Sequence, residues 1–193
     1  LSMHIKTVSI FGLGYIGLPT AAILADAGCQ VIGVDINPVA VETINRGEIH
    51  IVEPELADVV ARNVKAGRLR ATLSPEPADA FLITVPTPFA ADHQPDLSYV
   101  KSATLAIASQ LKAGDLVILE STSPVGATEQ VADWIAELRP ELQVPGHSDQ
   151  PNIAIAYCPE RVLPGRVMEE LVSNDRVVGG ITPSCSLQAS RLY

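Results

Sequence analysis

The chain has 193 residues and a net charge of −9, and 47% of its residues are hydrophobic while only 4% are aromatic. This length and aliphatic composition are typical of a single α/β domain with one substantial core. The acidic balance leaves no basic surface to neutralise phosphates, so we expect neither nucleic acid nor an anionic membrane as a partner.

The first two predicted strands enclose a glycine-rich turn and a helix. The turn carries Gly12, Gly14 and Gly17, and Asp35 follows eighteen residues after the last of these. Gly12 permits the tight turn, Gly14 lets the backbone approach a pyrophosphate, and Gly17 lets the helix lie close on the strand. Asp35 can accept hydrogen bonds from ribose hydroxyls and would repel a 2′-phosphate. The pattern therefore predicts a dinucleotide site that prefers NAD to NADP.

The run from Thr7 to Ala25 contains no charged residue, which leaves a secretion signal or a membrane span as an alternative. Three glycines and Pro19 argue against both, and no second apolar run of spanning length follows. We therefore expect a soluble protein without a targeting or membrane segment. The three scattered cysteines indicate a reducing, cytoplasmic location.

Short apolar runs alternate with helical patterns along the whole chain. Strands are predicted at Thr7–Phe11, Val31–Asp35, Ala80–Val85, Leu116–Glu120, Ile153–Tyr157 and Arg176–Gly180, with a short one near Arg70–Thr72. Helices are predicted at Ile16–Ala27, Pro38–Arg46, Glu53–Ala66, Leu97–Lys112, Thr128–Leu138 and Ser184–Leu192. Buried strands separated by helices predict an α/β, Rossmann-like doubly wound sheet, mostly parallel, with helices on both faces.

Ligands of such sheets bind beyond the carboxyl ends of the strands, so the loops there should carry the function. Three of these loops are rich in proline and polar groups: Pro-Thr-Pro at 86–88, Glu-Ser-Thr-Ser-Pro-Val-Gly at 120–126 and Cys-Pro-Glu-Arg-Val-Leu-Pro-Gly at 158–165. In any one loop, prolines and serines can simply terminate a strand. Their recurrence at successive strand ends indicates a site, in which Thr87 offers a hydroxyl to the cofactor crevice.

Five motifs in order resemble the UDP-glucose/UDP-mannose dehydrogenase family. They are Gly-Leu-Gly-Tyr-Ile-Gly-Leu-Pro from Gly12, Asp-Ile-Asn from Asp35, Val-Pro-Thr-Pro from Val85, the loop that begins at Glu120, and Tyr-Cys-Pro-Glu-Arg from Tyr157. The segments that begin at Cys158 and Asn174 look like the branch that oxidises 2-acetamido sugars, above all UDP-N-acetyl-D-mannosamine. The UDP-glucose branch usually runs Phe-Leu-x-Glu after Pro-Glu, and Pro164 stands here where that branch has its second glutamate.

The resemblance implies a role for each matching residue. It places the cofactor against Gly12, Gly14, Tyr15, Ile16, Gly17 and Asp35, with Thr87 and Thr128 on the pyrophosphate and nicotinamide side. Arg161 and Val162 would line the sugar-nucleotide pocket. Glu160 would lie nearest the reacting carbon and assist thioester hydrolysis, while Thr122 would position the water. A carboxylate in a partly desolvated cleft is a suitable base, although Glu160 and Arg161 could instead be solvated surface charges.

Enzymes of this family oxidise C6 of the sugar from alcohol to carboxylate with two NAD, and they need a nucleophilic cysteine after Gly-Gly-x together with a lysine and an asparagine. Cys185 follows Gly179-Gly180 at the wrong spacing, and Cys158 has no histidine or lysine neighbour in sequence. We interpret both as structural. The three cysteines are also too scattered for a disulfide framework or a metal site.

The resemblance therefore implies that residues 1–193 form an N-terminal NAD-binding domain. The central helix and the UDP-binding domain of the family would be absent from it, so we expect the chain alone to be inactive and the full-length enzyme to be a homodimer with a UDP-sugar substrate. Two alternatives stay open: a dinucleotide-binding regulatory module without chemistry, and a UDP-glucose or UDP-N-acetylglucosamine 6-dehydrogenase domain. A regulator would normally bring a basic DNA-binding element, which the composition does not favour.

Overall fold

The computed structural model describes residues 5–91 and 93–193, which form one sheet flanked by helices. The strands are β1 Thr7–Phe11, β2 Gln30–Val34, β3 Leu69–Thr72, β4 Ala80–Ile83, β5 Leu116–Leu119, β6 Ala154–Tyr157 and β7 Gly179–Gly180. The first six are parallel and β7 runs antiparallel to β6. The predicted doubly wound, mostly parallel sheet is confirmed.

The strand order is β3-β2-β1-β4-β5-β6-β7. The order reverses between β1 and β4, which pair in register from Val8 with Ala80 to Phe11 with Ile83. Loops leaving these two strands therefore turn to opposite sides and open a crevice at their carboxyl ends. This switch point is where doubly wound sheets bind their ligands.

Seven helices of the described chain cover the sheet: α1 Gly17–Asp26, α2 Pro38–Asn45, α3 Leu56–Lys65, α4 Ser98–Ala108, α5 Ala127–Leu138, α6 Val167–Ser173 and α7 Pro183–Ser190. The caps explain several of their starts. Asn37 accepts a hydrogen bond from Val39 N before α2, Asp96 accepts one from Ser98 N before α4, and Thr182 caps α7. None of the helices in the described ranges is long and apolar enough to cross a membrane.

The core lies in two layers, one on each face of the sheet. Val8 and Ile10 of β1 pack with α1, α3 and α7, whereas Phe11 and Phe81 pack with α4 and α5. Successive residues of a strand point to opposite faces, so strands buried on both sides read as the continuous apolar runs of the sequence.

Several predicted elements have other bounds in the structure. The helix predicted at Leu97–Lys112 is Ser98–Ala108, and the strand predicted at Ala80–Val85 ends at Ile83. The strand predicted at Arg176–Gly180 is only Gly179–Gly180, because the Arg176 side chain turns inward to an ion pair with Glu160 and the segment before Gly179 joins no ladder. The helix predicted from Glu53 begins at Leu56. No helix was predicted at Val167–Ser173, where α6 lies.

Candidate functional site

A cavity of about 750 Å³ lies at the carboxyl ends of the parallel strands. Every strand from β1 to β6 sends its following loop to the wall. The lining residues are Phe11, Gly12, Leu13, Gly14, Tyr15, Ile16, Asp35, Ile36, Leu73, Ser74, Pro75, Thr84, Val85, Pro86, Thr87, Tyr99, Ser102, Ala106, Glu120, Ser121, Thr122 and Glu160. The cavity therefore occupies the switch point and has the size of a small-molecule or cofactor site.

The turn after β1 depends on two of its glycines for its shape. Gly12 has a φ of +100°, and a Cβ atom there would lie 2.8 Å from the Thr84 carbonyl oxygen. A Cβ atom at Gly17 would lie 1.6 Å from the Gly12 carbonyl oxygen. The Thr84 hydroxyl donates to the Gly12 carbonyl at 2.7 Å and joins the turn to β4. These contacts bring the start of α1 against the strand ends.

Gly14 is different, because a Cβ atom there would meet nothing within 4 Å. Its open side belongs to the cavity wall. The Asp35 carboxylate holds the same turn, since it accepts hydrogen bonds from Leu13 N and Asn37 N, both at 2.9 Å. A bare backbone at Gly14 and a fixed carboxylate one strand away fit the pyrophosphate and ribose of NAD.

The loops after β4 and β5 are joined through hydroxyl groups. The Thr87 hydroxyl donates to the Thr122 carbonyl at 2.6 Å, and the Ser121 hydroxyl donates to the Val85 carbonyl at 2.7 Å. Tyr157 at the end of β6 accepts a hydrogen bond from Ser123 N at 3.0 Å through its hydroxyl. Three neighbouring loops therefore form one connected wall.

Four polar residues meet near the carboxyl ends of β5 and β6. Glu120 is 1% exposed and lies beside Glu160, which forms an ion pair with Arg176 at 3.4 Å. The Tyr193 hydroxyl donates to Glu120 Oε1, and the Arg176 guanidinium lies 4.0 Å from the centre of the Tyr193 ring. Burial, followed by repulsion from Glu160, raises the pKa of Glu120 to about 8.

The cysteines near the site are not activated. Cys158 is fully buried, and burial followed by the charge of Glu120 raises the pKa of its thiol, although Arg176 lies 4.0 Å away and opposes the shift. Cys185 is buried in the first turn of α7. Both positions fit the interpretation of these thiols as structural. No cluster of potential metal ligands occurs among residues 5–91 and 93–193.

A second, small cleft lies on the other side of Glu160. Arg161 and Val162 line it together with Arg176, and only Glu160 belongs to both this cleft and the cavity. Buried carboxylates hold this loop through its backbone. Glu53 accepts hydrogen bonds from the N–H groups of residues 165 and 167 at 3.0 and 2.7 Å, and Glu170 accepts one from that of residue 163 at 2.8 Å.

The structure thus brings together most of the residues singled out from the sequence. Those on the cavity wall are Gly12, Gly14, Tyr15, Ile16, Asp35, Thr87, Thr122 and Glu160. Gly17 packs against the Gly12 carbonyl under the turn and does not line the cavity. Thr128 lies in the first turn of α5, away from the wall. Arg161 and Val162 line the second cleft. Their functional roles stay predictions.

Four further residues of the site were not among the predicted site residues: Thr84, Glu120, Arg176 and Tyr193. Thr84 and Glu120 come directly after β4 and β5, and that position was an available signal. Arg176 offered no comparable signal, because it reaches Glu160 only through the path of the chain after α6.

A doubly wound sheet with a glycine turn, a carboxylate after β2 and a cavity at the switch point defines the nucleotide-binding domain of an oxidoreductase. Residues 6–193 match the NAD binding domain of the UDP-glucose/GDP-mannose dehydrogenase family. The chain belongs to this family and is its NAD-binding domain. The family name joins UDP-glucose with GDP-mannose, not with UDP-mannose.

Relatives in bacteria support the same assignment. The chain is 63% identical over 192 residues to UDP-N-acetyl-D-mannosamine dehydrogenase of Escherichia coli. The matched residues make up 99% of the chain and 46% of the relative. It is 60% identical over 194 residues to NDP-N-acetyl-D-galactosaminuronic acid dehydrogenase of Ralstonia nicotianae. That match covers 100% of the chain and 46% of the relative.

A solved structure with the same fold is that of UDP-N-acetyl-mannosamine dehydrogenase from Staphylococcus aureus. It has a TM-score of 0.88 and 39% identity, and it covers 97% of this chain and 44% of that one. The chain thus spans less than half the length of the relatives it matches.

Proposed function

We propose that the cavity binds NAD along the strand ends. The pyrophosphate would lie over Gly14 and the start of α1, and Asp35 would accept hydrogen bonds from the adenosine ribose. Ile36, Leu73 and Pro75 supply an apolar wall beyond Asp35 that suits the adenine ring. The nicotinamide would then lie toward Thr87 and Glu160, with Tyr15 and Ile16 along the turn. The open side of Gly14 carries this proposal.

We further propose that the whole protein is a UDP-N-acetyl-D-mannosamine 6-dehydrogenase that converts the C6 alcohol to a carboxylate. NAD, when bound, supplies the hydride acceptor, and two molecules are needed because alcohol to carboxylate is a four-electron oxidation. The 63% identity to an enzyme of that name supports the assignment. Thiol, lysine and asparagine groups for the covalent steps would come from a part of the longer protein beyond Tyr193.

The residues of this chain would serve the hydrolytic half of the reaction. Glu160 lines the cavity, where its carboxylate can take a proton from an attacking water. Thr122 lies on the same wall and has a hydroxyl that can orient that water without adding charge. Arg161 and Val162 would contact the sugar nucleotide from the second cleft, and Thr128 would act from the start of α5.

A specific observation favours a second candidate function. The 60% identity to an NDP-N-acetyl-D-galactosaminuronic acid dehydrogenase is almost as high as the identity to the mannosamine enzyme. The sugar epimer is set by pocket shape, so both 2-acetamido sugars are candidate substrates. In either case we propose a cytoplasmic homodimer, with residues 1–193 as the NAD-binding domain.

The test is NADH formation by the full-length protein with UDP-N-acetylmannosamine, UDP-N-acetylgalactosamine and UDP-glucose as separate substrates. We expect kcat/KM to be highest for the first. Glu160→Gln should slow hydrolysis more than the first hydride transfer, so a sugar adduct should accumulate and raise the mass of the intact protein. Equal turnover by Glu160→Gln would overturn the role of Glu160, and a preference for UDP-glucose would overturn the substrate.

A further inference from the structure

Glu120 and Glu160 are neighbouring carboxyl groups on the wall of the cavity. Glu120 is 1% exposed, and the side chain of Glu160 is 9% exposed. Both residues line the cavity, and they come from the ends of neighbouring strands, β5 and β6. Two carboxylates this close in a desolvated place cannot both ionise without a large repulsion.

Glu120 and Glu160 have different neighbours. Arg176 pairs with Glu160 at 3.4 Å, and its side chain is itself only 19% exposed. Glu120 receives a hydrogen bond from the Tyr193 hydroxyl at Oε1, while its buried Oε2 receives none from the described residues. Cys158, the remaining titratable neighbour, is buried as a thiol. Arg176 therefore compensates a negative charge on Glu160 more directly than one on Glu120, which leaves Glu120 as the site for a proton.

We propose that Glu120 and Glu160 share one proton at neutral pH, held on Glu120, and that Glu120 is a positioning residue that keeps Glu160 ionised. The inference deepens the proposed role of Glu160 as the base and rests on it for its functional meaning. A protonated Glu120 donates a hydrogen bond to the Glu160 carboxylate. The pair then carries one negative charge, which Arg176 balances.

The direction of the pKa shifts agrees with this arrangement. Burial and the charge of Glu160 raise the pKa of Glu120 to about 8. The hydrogen bond from Tyr193 and the charge of Arg176 lower this pKa, but their effect is smaller. Burial and the charge of Glu120 raise the pKa of Tyr193 well above its ordinary value, so its hydroxyl keeps its proton and remains a donor.

Infrared pH-difference spectroscopy on the full-length protein, without NAD or sugar, tests the shared proton directly. The C=O stretching band of a protonated carboxylic acid should disappear with a midpoint near pH 8. Glu120→Gln should abolish this band. In Glu160→Gln the band should remain, with its midpoint shifted down by about one pH unit or more, because the neighbouring charge is gone.

Glu129→Gln is the matched control, since Glu129 is exposed in the first turn of α5, and it should leave the band and its midpoint unchanged. Absence of any carboxyl titration above pH 6, or a band unaffected by Glu120→Gln, would overturn the shared proton. Should Glu120→Gln fail to fold, an unshifted midpoint in Glu160→Gln overturns it equally.

A second readout tests the positioning role in catalysis. The pH profile of kcat should show an inflection near the titration of the pair, and Glu120→Gln should remove that inflection because an amide donates a hydrogen bond but cannot ionise. An inflection retained in Glu120→Gln would overturn the positioning role. The infrared result needs neither cofactor nor substrate, so failure of the proposed dehydrogenase function would leave it intact and the two outcomes remain distinguishable.

Discussion

Gly14 and Gly17 lie three residues apart in the turn after β1, but an added Cβ atom meets different surroundings at the two positions. At Gly14 it enters the open cavity, whereas at Gly17 it lies 1.6 Å from the Gly12 carbonyl oxygen. Gly14→Val should therefore keep the fold and weaken NAD binding by on the order of 100-fold, since the side chain takes the space of the pyrophosphate.

Gly17→Ala should instead destabilise the fold by about 3 kcal/mol or more, because backbone must move to admit the methyl group. Circular dichroism melting and calorimetric NAD titration on both variants check the contrast. A folded Gly14→Val protein with unchanged affinity would show that this glycine serves the turn alone.

Asp35 should decide the choice between NAD and NADP. The Asp35 carboxylate is fixed by hydrogen bonds from two backbone N–H groups, so it cannot turn away from a 2′-phosphate. One close repulsion of like charges is worth about 1–3 kcal/mol, which corresponds to roughly ten- to hundredfold in affinity. Asp35→Asn keeps the size of the side chain and removes its charge, so it should reduce the difference in affinity between NAD and NADP.

Parallel calorimetric titrations with the two cofactors measure that gap. Glu48→Gln, an exposed carboxylate after α2, is the control that should leave it unchanged. Equal affinities of the unaltered protein for NAD and NADP would contradict the role of Asp35.

At the scale of elements, the loop between β6 and α6 is held from a distance. Glu53 is 5% exposed and lies more than a hundred residues away in sequence, yet its two oxygens accept N–H groups at both ends of the turn before α6. Glu53→Gln replaces one acceptor oxygen by a donor that faces an N–H group. It should lower the free energy of unfolding by about 1–3 kcal/mol.

Because this loop carries Arg161 and Val162, the same variant should raise KM for the sugar nucleotide more than KM for NAD. Denaturant unfolding and steady-state kinetics on the full-length protein measure the two effects. Equal increases in both KM values would mean that Glu53 supports the domain as a whole and not this loop in particular.

The elements differ in how far the sequence predicts them. β1, β2, β4, β5 and β6 are mostly apolar runs buried on both faces, so the local pattern was sufficient to find them, whereas β3 contains the exposed Arg70 and gave only a short signal. β7 has two residues and α6 has seven, and both depend on partners distant in sequence: β7 on pairing with β6, and the start of α6 on the Glu53 carboxylate. No local pattern contains those partners.

The candidate site divides in the same way. The glycine turn and Asp35 were predictable because their function needs particular residue types at a fixed spacing. The environment of Glu160 was not, because it depends on Glu120, Arg176 and Tyr193, which the sheet and α7 bring together. Family resemblance supplied Glu160 itself, and only the structure supplies its neighbours.

At the scale of the whole molecule, the charge balance makes stability depend on pH through a few groups. The pKa of Asp26 is held far below its usual range by hydrogen bonds from Arg62 and Asn63, so its contribution is present at neutral pH and is lost as the pH falls. Its ion pair with Arg62 is partly exposed and screened by salt, so this contribution is small.

Glu120 has the opposite and larger effect. Its pKa rises from 4.5 to about 8 on folding, so the folded protein binds a proton that the unfolded chain has already released across that window. The stabilisation is full below pH 4.5 and is lost as the pH rises toward 8. The free energy of unfolding should therefore fall between these values, beyond the general effect of a chain with a net charge of −9.

Glu120→Gln should flatten this decline, because the amide has no proton to lose. Urea unfolding at pH 5, 6, 7 and 8 on both proteins measures it, and the variant should gain stability relative to the unaltered protein as the pH increases. Glu170→Gln is a matched control, since Glu170 is also a buried glutamate but lies outside the carboxyl pair, and its curve should run parallel to that of the unaltered protein. If Glu120→Gln also runs parallel, Glu120 is ionised in the folded protein throughout this range and the pair does not hold a proton.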